Sequence, residues 1–564
     1  MTVVVEPNTG KNGGKSSETT RPTTRIHGCN IFCGENIMGD TSTSDADEIP
    51  SISVKDLAES VDIFFILVCT IFVLMMQAGF ALYEVGTIRR TPVEVVLIKN
   101  IVDASIAYAS WFAVGSMFAG KGSRFIGWAD AGPFLTGDEY NGDDSPLAYV
   151  RFLFSAAFAG TAVTVMSGSV ADRVPYLLYG IYAVWTCAFT YPVVAHWAWS
   201  EDGWMSHAVG GIGNCGVLDF AGSGVVHCFA GTSTFVWAYL LPDREGRFVG
   251  KATGSVNSVN FGYGFALQDR TQQALGMFLL WLGWFGFNCG SALSITSSDS
   301  REIVSVVAVN TSISPVVCCL TSVAIEWAYF KNWLHIREKF VMWNSNAVVR
   351  QGADREQQDL HSAAINGILS GLVSITAGCA TTDPWVTILC AVVAAFIYHY
   401  GYRLQLHHGL DDAINAVPVH LYNGVWGLFF AALMYSPGRH DTLMRLYGID
   451  ESRGGCGRGD QVAANVAFAF VVLAWSGATS FALYHALKWA FPDELRALDE
   501  GTRVELSDFM HVIDAVQLHI AGAQTVTGAA NPTPAGPPSS HPVDNPAATV
   551  PAIKISQPLT PGRA

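Results

Sequence analysis

Between residues 61 and 490 the chain alternates long apolar runs with short polar connections. A helix that crosses a hydrocarbon core about 30 Å thick needs about 20 mostly apolar residues. Eleven runs meet that length: 61–85, 93–119, 148–169, 176–198, 216–241, 272–294, 302–327, 361–381, 385–404, 411–436 and 461–490. They predict an all-α polytopic membrane protein with eleven transmembrane helices. Runs such as "AAFAGTAVTVMSGS" and "AINGILSGLVSITAG" place small residues at close spacing. In lipid, where apolar burial no longer drives association, small residues let helix backbones approach one another.

The ends read differently. Residues 1–60 are polar, with no apolar run beyond Val3, Val4 and Val5, so no cleavable signal peptide is expected and the first span does the targeting. Residues 491–521 form a polar segment after the last span, and 522–564 are rich in Pro, Ala, Ser and Thr, a composition expected to stay disordered. The membrane domain is thus 61–490.

Composition strengthens this picture. Only 14% of residues are charged, against about 25% in soluble domains. The charges crowd into the tails and connections, because a charge inside the bilayer costs several kcal/mol. The net charge of −15 points to no nucleic-acid partner. Most of the twelve cysteines fall inside apolar runs and read as small hydrophobes rather than metal ligands. Cys29, Cys33, Cys215 and Cys456 lie outside the runs and are the candidates for disulfides, provided their segments face an oxidising compartment. Lys and Arg are divided thirteen against eight between the two sets of connections. The richer set, which includes Arg89, Arg173, Arg244 and Arg403, is assigned to the cytoplasm. With eleven spans, the N-terminus is then extracellular and the C-terminus cytoplasmic.

One spacing recurs. In "LDFAGSGVVH" Asp219 precedes His227 by eight residues, and in "DDAINAVPVH" Asp412 precedes His420 by the same eight. The two segments are five spans apart, an odd number, so the second copy runs in the opposite direction. This is the pattern of an inverted five-helix repeat, here with one extra helix, whose substrate site lies between the halves. Eight residues of helix rise about 12 Å, so each Asp is expected near a surface and each His near the middle. Neutral imidazole donates at one nitrogen, accepts at the other and titrates near neutrality. A narrow, poorly hydrated path past two such rings suits a small neutral base, since an unscreened ion loses tens of kcal/mol of solvation there and a small polar molecule only a few. Aromatic side chains suit the mouth: Phe154 and Phe158 are one turn apart, "HWAW" supplies Trp197 and Trp199, and "WFGFNCGS" supplies Phe287. Ring faces attract cations by roughly 0.5 to 2 kcal/mol.

At these residues the chain resembles the ammonium transporter family (Amt/Mep/Rh), in particular its plant-like branch. The matching pieces, in order, are "QAGFALYEVG", "KNIVDA", "GSVADR", "YPVVAHWAWSEDGW", "LDFAGSGVVH", "LLWLGWFGFNCGSA" and "DDAINAVPVHLYNGVWG". The resemblance implies a plasma-membrane homotrimer in which each protomer has its own pore for ammonium or ammonia and needs no cofactor or metal. It implies that Phe154, Trp199 and Ser291 recruit ammonium outside, with Asp219 nearby helping to organise the vestibule and favour the cation. Phe158 and Phe287 are implied as a stacked gate, and His227 and His420 as the central pair, with Asn288 and Asp412 in supporting positions. It also implies deprotonation near the gate, with the proton left behind or carried by a separate relay.

The chain departs from the family pattern where Ala413 replaces a proline, Asn415 an acid and Leu421 a glycine. Without the proline, a straighter start to the tenth helix is expected. In "ALDEGTRVELSDF", which resembles the family's cytosolic regulatory segment, Arg503 and Val504 stand where the family has His-Gly, so regulation by a cytosolic partner is expected to differ. Two alternatives stay open at this stage. One is an ammonium sensor of the same fold; the other is a membrane redox protein whose two histidines hold a haem.

Overall fold

The computed structural model describes residues 53–492, apart from 130, 143–144, 172, 250–257, 260–266, 331–351 and 450–455. The expectations for the polar N-terminal tail, Cys29, Cys33, the regulatory-like segment and the C-terminal tail fall almost wholly outside these residues.

The described chain forms eleven long helices, in the number and order that the apolar runs predict. They are α1 (Val54–Thr87), α2 (Val93–Ala119), α3 (Ser145–Val170), α4 (Tyr176–Trp199), α5 (Ser223–Cys228 continuing as Phe229–Leu240), α6 (Arg270–Gly290), α7 (Ser298–Phe330), α8 (Gly352–Thr376), α9 (Pro384–His407), α10 (Val417–Met434) and α11 (Arg458–Ala490). Eight are long and apolar enough to cross a membrane by composition alone; α5, α6 and α8 carry more polar residues. The first helix begins at Val54, seven residues before the apolar run does. Phe248–Val249 pairs antiparallel with Ser258–Val259 in the α5–α6 connection.

Burial identifies the central helix. The apolar window of α3 is 89% buried, against 39% for α1 and 33% for α11, whose outer faces are left for lipid or another chain. Helix α1 lies along α6 at backbone contact: a Cβ on Gly276 would sit 2.4 Å from the Tyr83 amide nitrogen. Helices α7 and α8 make the corresponding long pairing in the second half.

The two segments carrying the Asp-x7-His spacing depart from the simple run in the same way. Neither begins as a helix at its aspartate. Residues 216–222 are irregular, and α5 starts only after Gly222, whose φ of +102° no L side chain adopts readily. Residues 409–415 are equally irregular, ending at Asn415 with φ +60°, so the loss of proline at Ala413 does not straighten the approach to α10. Asn is among the few side chains that tolerate this left-handed conformation. Both helices open with a π turn, Ser223–Cys228 and Val417–Tyr422. Such wide turns are frequent at functional sites, although α2 and α4 also carry one each, at Trp111–Gly115 and Thr186–Thr190.

Each irregular segment is anchored at its own end of the bundle. Before α10, Asp411 is gripped by Arg244 through Nε at 3.0 Å and Nη2 at 2.7 Å, while Arg173 donates to the Asp411 carbonyl. Burial alone would raise the Asp411 carboxyl, but the Arg244 and Arg173 guanidinium groups hold it well below the usual range. Before α5, Cys215 is joined to Cys456 in a disulfide with Cα atoms 5.2 Å apart. From α11, Gln461 donates to the Gly216 carbonyl at 2.8 Å, and Asn465 both donates to the Leu218 carbonyl and accepts from its amide, each at 2.9 Å.

Candidate functional site

The candidate residues that the sequence scatters from 154 to 420 come together as one column of rings. Trp199, at the end of α4, is 39% exposed and forms the open end; Phe154 and Phe158 on α3 are at most 5% exposed, and Phe287 on α6 is fully buried. Phe158 meets Trp199 edge-on at 6.0 Å and Phe154 at 4.7 Å. It stacks on Phe287 with centroids 3.8 Å apart and planes 9° from parallel. Below, Phe287 lies 5.7 Å from the His227 ring, which is 5.2 Å from His420. The chain of contact is unbroken from surface to buried imidazole pair. The Ser291 hydroxyl, at the end of α6, donates to the Phe287 carbonyl at 2.9 Å.

Asp219 is built into the start of α5. It is 3% exposed, and its carboxylate accepts from the backbone N–H groups of Gly222 at 3.1 Å, Gly224 at 2.9 Å and Val225 at 2.8 Å. It therefore satisfies the otherwise unpaired donors at the start of α5. Its carbonyl accepts from Trp199 Nε1 at 2.9 Å, which fixes the indole at the open end. Because the helix starts after the acid, the spacing to His227 is not a helical rise. Asp412 plays the matching part for α10, accepting from the Val417 amide at 2.8 Å.

The halves also cross reciprocally: the opening turn of α10 packs on the body of α5, and that of α5 on the body of α10. A Cβ on Gly231 would lie 2.4 Å from the Leu421 amide nitrogen, and one on Gly424 2.8 Å from the Cys228 amide nitrogen. Gly231 is four residues after His227 and Gly424 four after His420, so the repeated pattern is Asp-x7-His-x3-Gly. Gly424 lies within the quoted "DDAINAVPVHLYNGVWG", but Gly231 lies four residues past the end of "LDFAGSGVVH"; reading both segments that far would have marked the crossing. Leu421, in place of a glycine, is 8% exposed within that crossing.

Three further residues take their places in the structure. Asn288 is fully buried but donates from Nδ2 to Thr311 Oγ1 on α7 at 3.0 Å, tying α6 to its neighbour. Trp284, which the sequence did not single out, stacks on His227 at 5.0 Å and donates to Thr376 Oγ1 at 2.9 Å. It is one turn before Phe287 on the same face, a spacing that would have found it. Trp197, expected at the mouth, is instead buried among Phe125, Trp204 and Trp475, and the ring column does not include it. The haem alternative fails on space: the imidazole δ nitrogens are 3.2 Å apart, which leaves no gap for a porphyrin between the rings. Among the described residues no group of three or more His, Cys, Asp or Glu is placed to hold a metal ion.

The fold defines a polytopic helical membrane protein. The Ammonium Transporter Family profile matches residues 64–336 and 356–515, and the chain belongs to that family. It is 34% identical over 456 residues to ammonium transporter Amt2 of Archaeoglobus fulgidus, covering 79% of this chain and 87% of that one. It is 33% identical over 475 residues to ammonium transporter 1 member 3 of Oryza sativa subsp. japonica, covering 81% and 87%. Among solved structures, one described as a sensor Amt protein matches with TM-score 0.64 at 23% identity, covering 80% of this chain and 96% of that one. Candida albicans Mep2 matches with TM-score 0.59 at 20% identity, covering 82% and 90%.

Proposed function

We propose that this chain takes up ammonium through the ring column, carrying ammonia past His227 and His420. The observation that supports this most directly is the unbroken sequence of contacts from Trp199 through Phe158 and Phe287 to the histidine pair. Trp199, Phe154 and Ser291 form the recruiting mouth, where ring faces attract a cation. Asp219 serves it indirectly, by fixing the start of α5 and the indole.

Phe158 and Phe287, at stacking distance, close the path until they part. Beyond them the lining is fully buried. A dehydrated ammonium ion would lose tens of kcal/mol of solvation there, and ammonia only a few. The ion therefore gives up its N–H proton before the gate, and the neutral base then accepts from and donates to the imidazole nitrogens. The proton either returns outside, giving electroneutral transport, or crosses by another route, giving electrogenic uptake.

The aromatic mouth is assigned to the outside. It lies toward the ends of the helices that also carry the Cys215–Cys456 disulfide, a bond that persists in oxidising compartments. The arginines before α10 then face the cytoplasm. The protein is read as a plasma-membrane homotrimer; sensing by the tails would be an added property of the same pore.

Oocytes expressing the chain, held under an ammonium gradient by two electrodes, should carry an inward current, and should take up labelled methylammonium. Uptake without current selects the electroneutral route. Neither signal, in cells with the protein at the surface, overturns the proposal.

A further inference from the structure

The ring column leaves a second buried polar group unused. It lies among α1, α2, α3 and α4, where Glu84 is fully buried, Lys99 is 5% exposed and Asp103 is 1% exposed. Glu84 is complete. Its Oε2 accepts from Lys99 Nζ at 2.7 Å and Asn100 Nδ2 at 2.9 Å, and its Oε1 from Ser167 Oγ at 2.6 Å. Lys99 thus offsets Glu84, one charge against one.

Asp103, one turn further along α2, has no such cation. Its Oδ2 lies 2.7 Å from Thr164 Oγ1, and its Oδ1 is buried without a hydrogen-bond partner. The Thr164 hydroxyl has one hydrogen and faces three acceptors: Asp103 Oδ2, the Gly160 carbonyl at 2.8 Å and Gln77 Oε1 at 3.1 Å. The Gly160 carbonyl keeps its helical donor, the Thr164 amide, so an ionised Asp103 that takes the Thr164 hydrogen leaves Gln77 Oε1 without one. A proton on Asp103 repairs the count, since the carboxyl then donates to Thr164 Oγ1 and the hydroxyl is freed for Gly160 or Gln77. Turning over the Gln77 amide would satisfy its own nitrogen, yet would supply neither a donor to Asp103 Oδ1 nor a charge to balance the carboxylate.

The other groups facing Asp103 do not provide that charge. They are Glu84 from α1, Lys99 from α2, and Tyr179, Tyr182 and Cys187 from α4; the Tyr179 hydroxyl can donate to the carboxyl but brings no charge. Lys99, Asp103, Tyr176 and Tyr179 line a small cavity between α2 and α4. Most of its lining surface is apolar, with Ile98, Val102 and Ile106 around it, and the polar atoms of Lys99, Asp103, Tyr176 and Tyr179 are what a water there would bond.

We propose that Asp103 is a proton-binding carboxyl within the membrane domain, separate from the histidine pair, that exchanges its proton with water in the cavity between α2 and α4. In the exchange the Asp103 O–H bond breaks and the proton joins a cavity water, while the Thr164 hydroxyl turns to donate to the carboxylate left behind; the reverse step restores both. This gives a proton a lodging place off the path of ammonia, and that consequence rests on the transport reading above.

Two measurements test it. Infrared spectra of the purified full-length protein in lipid should contain, at neutral pH, a deuterium-sensitive carbonyl band of a protonated carboxyl. The band should be lost in Asp103→Asn and kept in Asp219→Asn. In Thr164→Val it should persist at higher frequency, which keeps the test open should Asp103→Asn fail to fold. No such band, or a band that survives in folded Asp103→Asn, overturns the site.

In oocytes, Asp103→Asn should lower the charge moved per methylammonium taken up several-fold, with uptake still measurable. An unchanged ratio overturns the exchange role. Absence of any transport by the unaltered chain refutes the transport reading and leaves the infrared result standing.

Discussion

Nδ1 of His420 lies 3.2 Å from Nδ1 of His227. Only one hydrogen fits between two such nitrogens, so one ring donates and the other accepts, and their tautomers are opposite. The hydrogen bond makes the two imidazoles one unit, held in place by Trp284 stacked against His227.

If the pair acts as a unit, removing either ring should do most of the damage. His227→Ala and His420→Ala should each lower ammonium-evoked current by about tenfold or more, equivalent to ~1.4 kcal/mol. The double variant should be little worse than the more severe single one. Currents scaled to surface protein measure this; additive losses would mean that the rings work independently.

Asp219 offers a sharper contrast. As the group that satisfies three backbone donors at the start of α5, it should cost about 1 to 2 kcal/mol of stability when changed to Ala, and less when changed to Asn, which caps nearly as well. Thermal melts of the detergent-purified variants should rank Asp219→Ala below Asp219→Asn. Equal melts combined with equal loss of transport would argue that its charge matters more than its capping.

The crossing of α5 and α10 tolerates no side chain at Gly231 or Gly424. Alanine at either should destabilise the protein by roughly 1 to 3 kcal/mol through overpacking. Because both residues close the same crossing, the double change should fall short of the sum. Melting temperatures of the two single variants and the double test this directly.

The loop after α4 carries a pH dependence. Burial, and His440 beside it, push the His207 imidazole down to about 3 from its ordinary 6.5. An unfolded chain takes up this proton on acidification, whereas the folded one does not until about pH 3. The stability contributed by neutral His207 is therefore present above pH 6.5 and is lost as pH falls from 6.5 toward 3. His440, also lowered by burial, acts in the same direction. The melting temperature should drop between about pH 7 and pH 5, and His207→Gln should flatten that drop; an unflattened curve would assign it to other groups.

The eleven spans were legible because apolar length is a strong signal, and α5 and α10 were marked as a pair by a spacing that two short segments share. What misled was the assumption that Asp219 and His227 ride one helix. Gly222 and Asn415, the two residues with positive φ ahead of the π turns, break that continuity, and a lone Gly or Asn does not announce a helix start. Phe154, Phe158 and Phe287 could be chosen from the sequence, but stacking of Phe158 on Phe287 depends on how α3 meets α6. The Glu84, Lys99 and Asp103 group was visible only as charges inside apolar runs; which charge lacks a counterpart emerges when four helices are brought together.

The bond between Cys215 and Cys456 also records how the chain is made. Six helices, α5 to α10, separate the two cysteines, and six crossings return the chain to the side it left. A nascent chain must thread all six, in the right order, before the thiols can meet. Oxidation of this pair is thus a time stamp for completed insertion. In a pulse-labelled chain run without reductant, the shift in mobility should appear only after the tenth helix has entered the bilayer, and a chain that skips one crossing should never show it.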